Sequence, residues 1–181
     1  EDAETGLLTD WILATSGSWS ASNAAPISGN YSMRHVSTGS SGQSYASIFL
    51  DDQYLDGGTT TWQFNLSHFA IEPDQNDKFM FFLAANESDL FSATVDGYAV
   101  GINPANAFAA DNITLWRIVN GSPASAIVTS TVDVGTGHDA IGYHITRNET
   151  GMWTLYLDVD GGFDNLVNHG SATDATYDKL S

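Results

Sequence analysis

The sequence predicts an all-β fold, a two-sheet antiparallel β-sandwich, from three observations. Short segments alternate apolar and polar residues with a period of two, the mark of half-buried strands. Turn residues separate them at short, regular spacing. The segments are rich in β-branched and aromatic residues, which favour strand over helix. A chain of 181 residues with 21 aromatic side chains suits one domain, residues 1–181, around one sizeable core. No internal repeat and no second domain is visible.

The elements follow in order. Residues 1–26 read as a docked irregular segment with one or two short strands, or with a short helix over residues 8–14 capped by Thr9 or Asp10. Residues 31–37 and 44–50 alternate as strands, with a loop over residues 38–42 between them and Asp51-Asp52 closing the second. Residues 59–67 place Trp62, Phe64 and Leu66 on one face. Residues 72–77 form an acidic loop. Residues 78–85, KFMFFLAA, are almost wholly apolar, and predict a central strand buried on both faces over residues 79–83.

Residues 96–103 form a strand with Gly101 inside it, where a bulge or close backbone approach is expected. A loop over residues 104–111 follows. Residues 112–120 and 125–134 form a hairpin at Asn120-Gly121. Residues 139–147 pair with residues 152–159 through the turn at residues 148–151. In MWTLYLDVDGGFDN, Trp153, Leu155, Leu157 and Val159 alternate with Thr154, Tyr156, Asp158 and Asp160, and Asp160-Gly161-Gly162 reverses the chain. Residues 166–169 form one more short strand, and residues 171–181 are polar, with Tyr177 as their one large core residue.

Composition narrows the partners. The chain has 22 acidic residues against 5 basic ones, a net charge of −17. That field repels nucleic acid and anionic lipid. It suits a salty or calcium-rich exterior, where counterions offset self-repulsion. There is no cysteine, hence no disulfide, thiolate metal site or cysteine nucleophile. No apolar run reaches roughly 18 residues, so membrane insertion is not expected. No secretory leader is visible, which points to a mature form.

Glu4-Thr5-Gly6, Trp11, GSWSASNAAPISGNYSMRH, DGYAVGIN, LWRIVNG and WTLYLDVDGGFDNLVNHGSATDATY together span nearly the whole chain. They resemble bacterial extracellular and cell-surface modules with a concanavalin A-like, laminin-G-like jelly roll. The resemblance implies a secreted, non-catalytic module beside adhesion domains or enzymes. It implies structural calcium that joins an N-terminal glutamate, here Glu4, to residues near the last strand. It also implies one or two further strands after ATDATY. An open pairing position is therefore expected beside residues 31–36, to be filled by a companion chain or C-terminal segment.

The acidic turn is the sharpest chemical signal. Calcium takes six to eight oxygens at about 2.3–2.6 Å, and Asp158, Asp160 and Asp164 are suitably close in sequence. The EF-hand glutamate is missing, and the competing reading is a turn that uses Asp and Gly for local geometry. For glycan binding, which stacks a sugar face on an aromatic ring and hydrogen-bonds its hydroxyls, the candidates are Tyr156, Trp116, His144, Gln63 and Arg117. His144 is out of phase with Ile141, Tyr143 and Ile145 and should point away from the core; of Trp116 and Arg117 only one can face outward.

No strand carries the paired carboxylates of a glycosidase. Arg34, Gln63, His144 and Tyr156 imitate the residue set of alginate-lyase-like sandwiches, without their motifs. The five histidines show no zinc spacing, and there is no nucleophile elbow or phosphate loop. Two classes stay open, a glycan-binding or adhesion module and a purely structural or interaction module, with a polysaccharide lyase or hydrolase third.

Overall fold

The computed structural model describes residues 4–14, 18–36, 43–49, 53–67, 78–102, 111–134 and 140–180. These contain fourteen strands and no helix. They are β1 (Trp11–Ala14), β2 (Trp19–Ser22), β3 (Ser32–His35), β4 (Tyr45–Ile48), β5 (Gln53–Tyr54), β6 (Thr60–Leu66) and β7 (Phe79–Ala85). Then come β8 (Gly97–Ile102), β9 (Asn112–Val119), β10 (Ser122–Asp133), β11 (Ile141–Arg147), β12 (Met152–Asp158), β13 (Val167–Thr173) and β14 (Lys179–Leu180). The expected loops at residues 38–42, 51–52, 72–77 and 104–110, with His68 and His138, lie outside the described residues.

Two four-stranded antiparallel sheets face each other, in the orders β10-β9-β8-β7 and β13-β12-β11-β6. Pairs β1·β4, β2·β3 and β5·β14 form three small sheets. The chain is thus a β-sandwich. Tyr98, Val100, Ile102, Ile113 and Leu115 of one sheet meet Ile141, Tyr143, Ile145, Trp153, Leu155 and Leu157 of the other, and all are buried. Each such side chain contributes about 1.5–3 kcal/mol relative to exposure. As expected, Trp62, Phe64 and Leu66 of β6 join this core.

The turns follow from their residues. Asn120 and Gly121 have φ of 50° and 73°, so β9 and β10 meet in the left-handed two-residue turn that Asn-Gly favours. Pro123 is tolerated in β10 because that strand lies at the edge of its sheet. A Cβ on Gly101 would sit 2.0 Å from the Phe79 carbonyl oxygen, so the close approach expected there is present.

Of the two alternatives for residues 1–26, the short strands are found among the described residues and the helix is not: residues 11–14 form β1 and residues 19–22 form β2, because pairing with β4 and β3 offers their backbone ladders that a short isolated helix lacks. Two expectations are corrected. The apolar run at residues 79–83 is an edge strand among the described residues, and Phe81 is 36% exposed. The strand buried on both faces is β8, all six of whose residues are buried. In β7, Phe81 stacks on Phe64 of β6 with ring centroids 3.8 Å apart, and Trp62 Nε1 donates to the Leu83 carbonyl at 2.9 Å. Its apolar residues seal the seam between the two sheets' edges. The second is the short strand expected at residues 166–169, which runs as β13 from Val167 to Thr173, with β14 beyond it pairing with β5. The expected open position beside residues 31–36 falls on β3, whose ladder partner among the described residues is β2.

Candidate functional site

Strand register assembles one polar face. In the β13-β12-β11-β6 sheet the odd residues of β11 and β12 fill the core. Their even neighbours, with the odd residues of β6, point to the other side. Gln63 lies opposite His144, His144 opposite Tyr156, and Tyr156 opposite Asn168. Three sequence candidates thus form one row across adjacent strands. At a strand spacing of about 4.8 Å the row is about 14 Å long. The His144 and Tyr156 rings meet edge to face, 5.5 Å apart, and both are half-buried; Gln63 and Asn168 are exposed. His144 Nδ1 is enclosed without a hydrogen-bond partner among the described residues.

A second row runs alongside. Thr61, Thr146, Thr154 and Ser171 are cross-strand neighbours, and the Thr154 and Ser171 hydroxyls bond at 2.9 Å. On the far side Asn65, Gly142 and Asp158 align, and the β12–β13 connection folds over them. Gly162 N donates to Asn65 Oδ1 at 2.8 Å, and a Cβ on Gly142 would lie 1.8 Å from the Gly162 carbonyl oxygen. The face is therefore bounded at one end. Asn168 and the hydroxyl row were missed in the sequence because only strand register, including the shift at His169, brings them beside Tyr156. Burial pulls His169 below the usual histidine range.

The acidic turn keeps its carboxylate for its own backbone. Asp158 is 1% exposed, and its two oxygens accept Asp160 N at 3.1 Å and Asn165 N at 2.8 Å. Gly161 and Gly162, with φ of 77° and 79°, complete the reversal. Asp160 and Asp164 are exposed. Among the described residues no three carboxylate or imidazole side chains come together as a metal site. Glu4 instead accepts Asn30 N at 2.8 Å and Tyr31 N at 3.4 Å, which fixes the turn before β3. As placed, these four carboxylates do not fit a calcium cage.

Trp116 and Arg117 belong to the other sheet. They face opposite ways, as their adjacency requires, and both are half-buried. Trp116 pairs with Ala99 on the outer side, and Arg117 with Tyr98 on the core side. Arg117 donates to Asp174 at 2.6 Å and to Thr176 Oγ1 at 2.8 Å. Neither residue joins the polar row. Arg34, exposed on β3, is also in a different sheet from it.

The Arg117 contact is part of a network that sequence reasoning did not foresee. Residues 174–178 cross one end of the sandwich. Tyr98 Oη donates to Asp174 Oδ1 at 2.9 Å and accepts Tyr177 N at 3.1 Å; Trp153 Nε1 donates to the Asp174 carbonyl at 3.1 Å. Arg147, fully buried, donates to the Leu55 and Tyr177 carbonyls and to Asp178 Oδ1 at 2.8 Å, with its guanidinium 5.8 Å over the Trp153 ring. Burial by itself would raise the Asp174 carboxyl; hydrogen bonds from Thr176 and Tyr98 and the charge of Arg117 outweigh it and hold the group below the usual range. Burial pushes the Tyr98 hydroxyl up to about 12, so it remains a donor at neutral pH.

Chemically, the polar face offers an aromatic side chain, an imidazole, two amides and a line of hydroxyls on a sheet. Asp158 is its one strand carboxylate, and both its oxygens are hydrogen-bonded in the turn. No helix of the described residues is long and apolar enough to cross a membrane. Comparison with protein-family models, with curated proteins and with solved structures finds no match.

Proposed function

We propose that this chain is a non-catalytic, extracellular carbohydrate-binding or adhesion module of jelly-roll type, and that its ligand lies across the row Gln63, His144, Tyr156 and Asn168. The observation that carries the reading is the alignment of these four side chains by register on one face of the main sheet. Tyr156 presents an aromatic surface to the apolar face of a sugar, while Gln63, His144 and Asn168 reach its hydroxyls. The net charge of −17 disfavours acidic polysaccharides and points to neutral glycans. A glycan array followed by calorimetry tests this. Tyr156→Ala and Gln63→Ala should each weaken the best ligand by about tenfold or more, roughly 1.4 kcal/mol, with cooperative melting retained. Unchanged affinity in both variants would place binding elsewhere, and an empty array would leave the structural-module reading.

The adjacency of Gln63, His144 and Tyr156 favours polysaccharide lyase as the second reading, since an imidazole and a phenol side by side can handle a proton next to a carboxylate-bearing sugar. Its weaknesses are the placement of Arg34 in another sheet and the net charge, which disfavours the acidic polymers such an enzyme would take. Unsaturated products absorbing in the ultraviolet after incubation with uronate polymers would establish it.

A further inference from the structure

Two of the chain's five basic residues, Arg117 and Arg147, converge on the same short segment, residues 174–178. We infer that this end of the sandwich is a recognition cleft for an acidic segment of the pattern Asp-x-x-Tyr-Asp, filled here by the chain's own residues, and that two copies of the chain exchange that segment.

The walls of the cleft are built by strands rather than by the occupant. Tyr98 stands on β8, Arg117 on β9, Arg147 on β11 and Trp153 on β12, so both main sheets contribute. The occupant is read along its length. Asp174 takes the Tyr98 hydroxyl and Arg117, Thr176 takes Arg117, Tyr177 places its amide on Tyr98 and its hydroxyl on the Ile118 carbonyl at 3.3 Å, and Asp178 takes Arg147. Leu55 N adds a backbone bond to the Asp178 carbonyl at 2.8 Å. A guanidinium with no exposure is costly to leave without a partner, so the cleft calls for an anionic occupant.

The occupant is anchored at Asp174, whose side chain is 8% exposed, and at Tyr177, which packs on the core; the rest of it is open. Ala175, Thr176 and Asp178 are exposed. Its departure unpairs no strand of the main sheets, since the only ladder beyond it, among the described residues, is the two-residue pairing of β14 with β5. The same segment of a second copy makes identical contacts. Exchange therefore carries only the cost of opening the connection after β13 and of association, the situation in which segment swapping arises. The match of Arg117 and Arg147 to the two aspartates, in a protein otherwise short of cations, selects that segment over a neutral one.

The test uses the full chain and a fluorescein-labelled synthetic peptide with the sequence of residues 171–180. In Asp174→Ala/Tyr177→Ala protein the resident segment is weakened. The peptide should bind this variant at least about tenfold more tightly than the wild-type chain, and adding Arg117→Gln should remove the gain. A folded double variant that binds no more tightly than wild type overturns the cleft. Hydrogen exchange on the wild-type chain gives a reading independent of any variant. The Tyr177 amide should exchange at least about tenfold faster than that of Ile145, because the segment opens without global unfolding. Equal rates would show that the segment leaves only when the whole domain unfolds, and would overturn the exchange.

Discussion

Residues 158–165 and 174–178 are both short acidic stretches that leave a strand, yet their carboxylates are held by different means. In the first, Asp158 accepts two amides from within seven residues of itself, at Asp160 and Asn165. In the second, Asp174 and Asp178 are held by Arg117 and Arg147, 57 and 31 residues away in the chain. A local acidic turn organises itself; an acidic strap is organised by cations that the strands deliver. The distinction explains why so acidic a chain keeps two arginines on the core side of its sheets. It also ranks what should happen when each stretch is disturbed.

The largest effect belongs to the strap. Arg147→Ala removes a fully buried guanidinium, its bonds to two carbonyls and its place over Trp153, and leaves a void. Losing so large a buried side chain and leaving two carbonyls without their donor costs about 3–5 kcal/mol. Asp178→Ala should cost less, about 1–3 kcal/mol, because the guanidinium it leaves behind keeps the Leu55 and Tyr177 carbonyls and the vacated place, at the 54% exposed end of the ion pair, admits water. Urea denaturation of both variants measures the asymmetry; equal losses would mean that Arg147 acts only through that ion pair.

This contrast also marks how far the sequence could be read. Period-two alternation placed Trp62, Phe64, Ile145, Trp153 and Leu155 in the core, because it reports directly which side of a strand each residue faces. Asn-Gly and Gly-Gly located their turns, because left-handed φ is a property of single residues. The run FMFFLAA was misplaced because apolar composition alone does not tell a central strand from an edge strand whose side chains pack across a seam, as Phe81 does on Phe64. The strap was read as a polar tail because its partners are long-range: nothing within residues 171–181 announces Arg117, Arg147 or Tyr98. The polar row was half legible. Gln63, His144 and Tyr156 each showed an outward phase, but only pairing register sets them side by side.

Next in size is Asp174, whose effect depends on pH. Asp174→Asn should cost about 1–3 kcal/mol at pH 7, the range for weakening a buried, charge-assisted network. The folded carboxyl is held below its unfolded value, so its contribution is complete above about pH 4, the ordinary aspartate range, and is lost as pH falls through the lower folded value. The gap between wild type and variant should therefore shrink in urea melts taken below pH 4. A gap that stays constant down to pH 2.5, roughly a unit and a half below the unfolded value, would show that the charge of Asp174 contributes nothing.

Asp158→Ala comes third. It leaves the Asp160 and Asn165 amides without their acceptor in the turn, at about 1–2 kcal/mol. The turn also roofs Asn65 and Gly142, so loosening it should reach the polar face. Chemical shifts of Asn65 and His144 in the variant report that coupling. Shifts confined to residues 158–165 would separate the turn from the face.

The smallest expected effect is the one that an acidic Asp-Gly turn would make large if it were a calcium loop. Asp160 and Asp164 are exposed, and Asp158 is already engaged by backbone amides, so Asp160→Ala and Asp164→Ala should each lie within about 0.5 kcal/mol of wild type. By the same geometry EDTA should leave the melting temperature unchanged, and calcium added at up to about 10 mM should move it by less than a degree or so. A site of the affinity usual for extracellular modules, about 10⁻⁴–10⁻³ M, would be largely filled at that concentration and would stabilise by roughly 1.4–2.7 kcal/mol through mass action. For a domain of this length that is a shift of several degrees, well outside the error of a melt. Such a shift, abolished by Asp160→Ala, would mean that the turn rearranges around the ion and that its carboxylates are not reserved for the backbone.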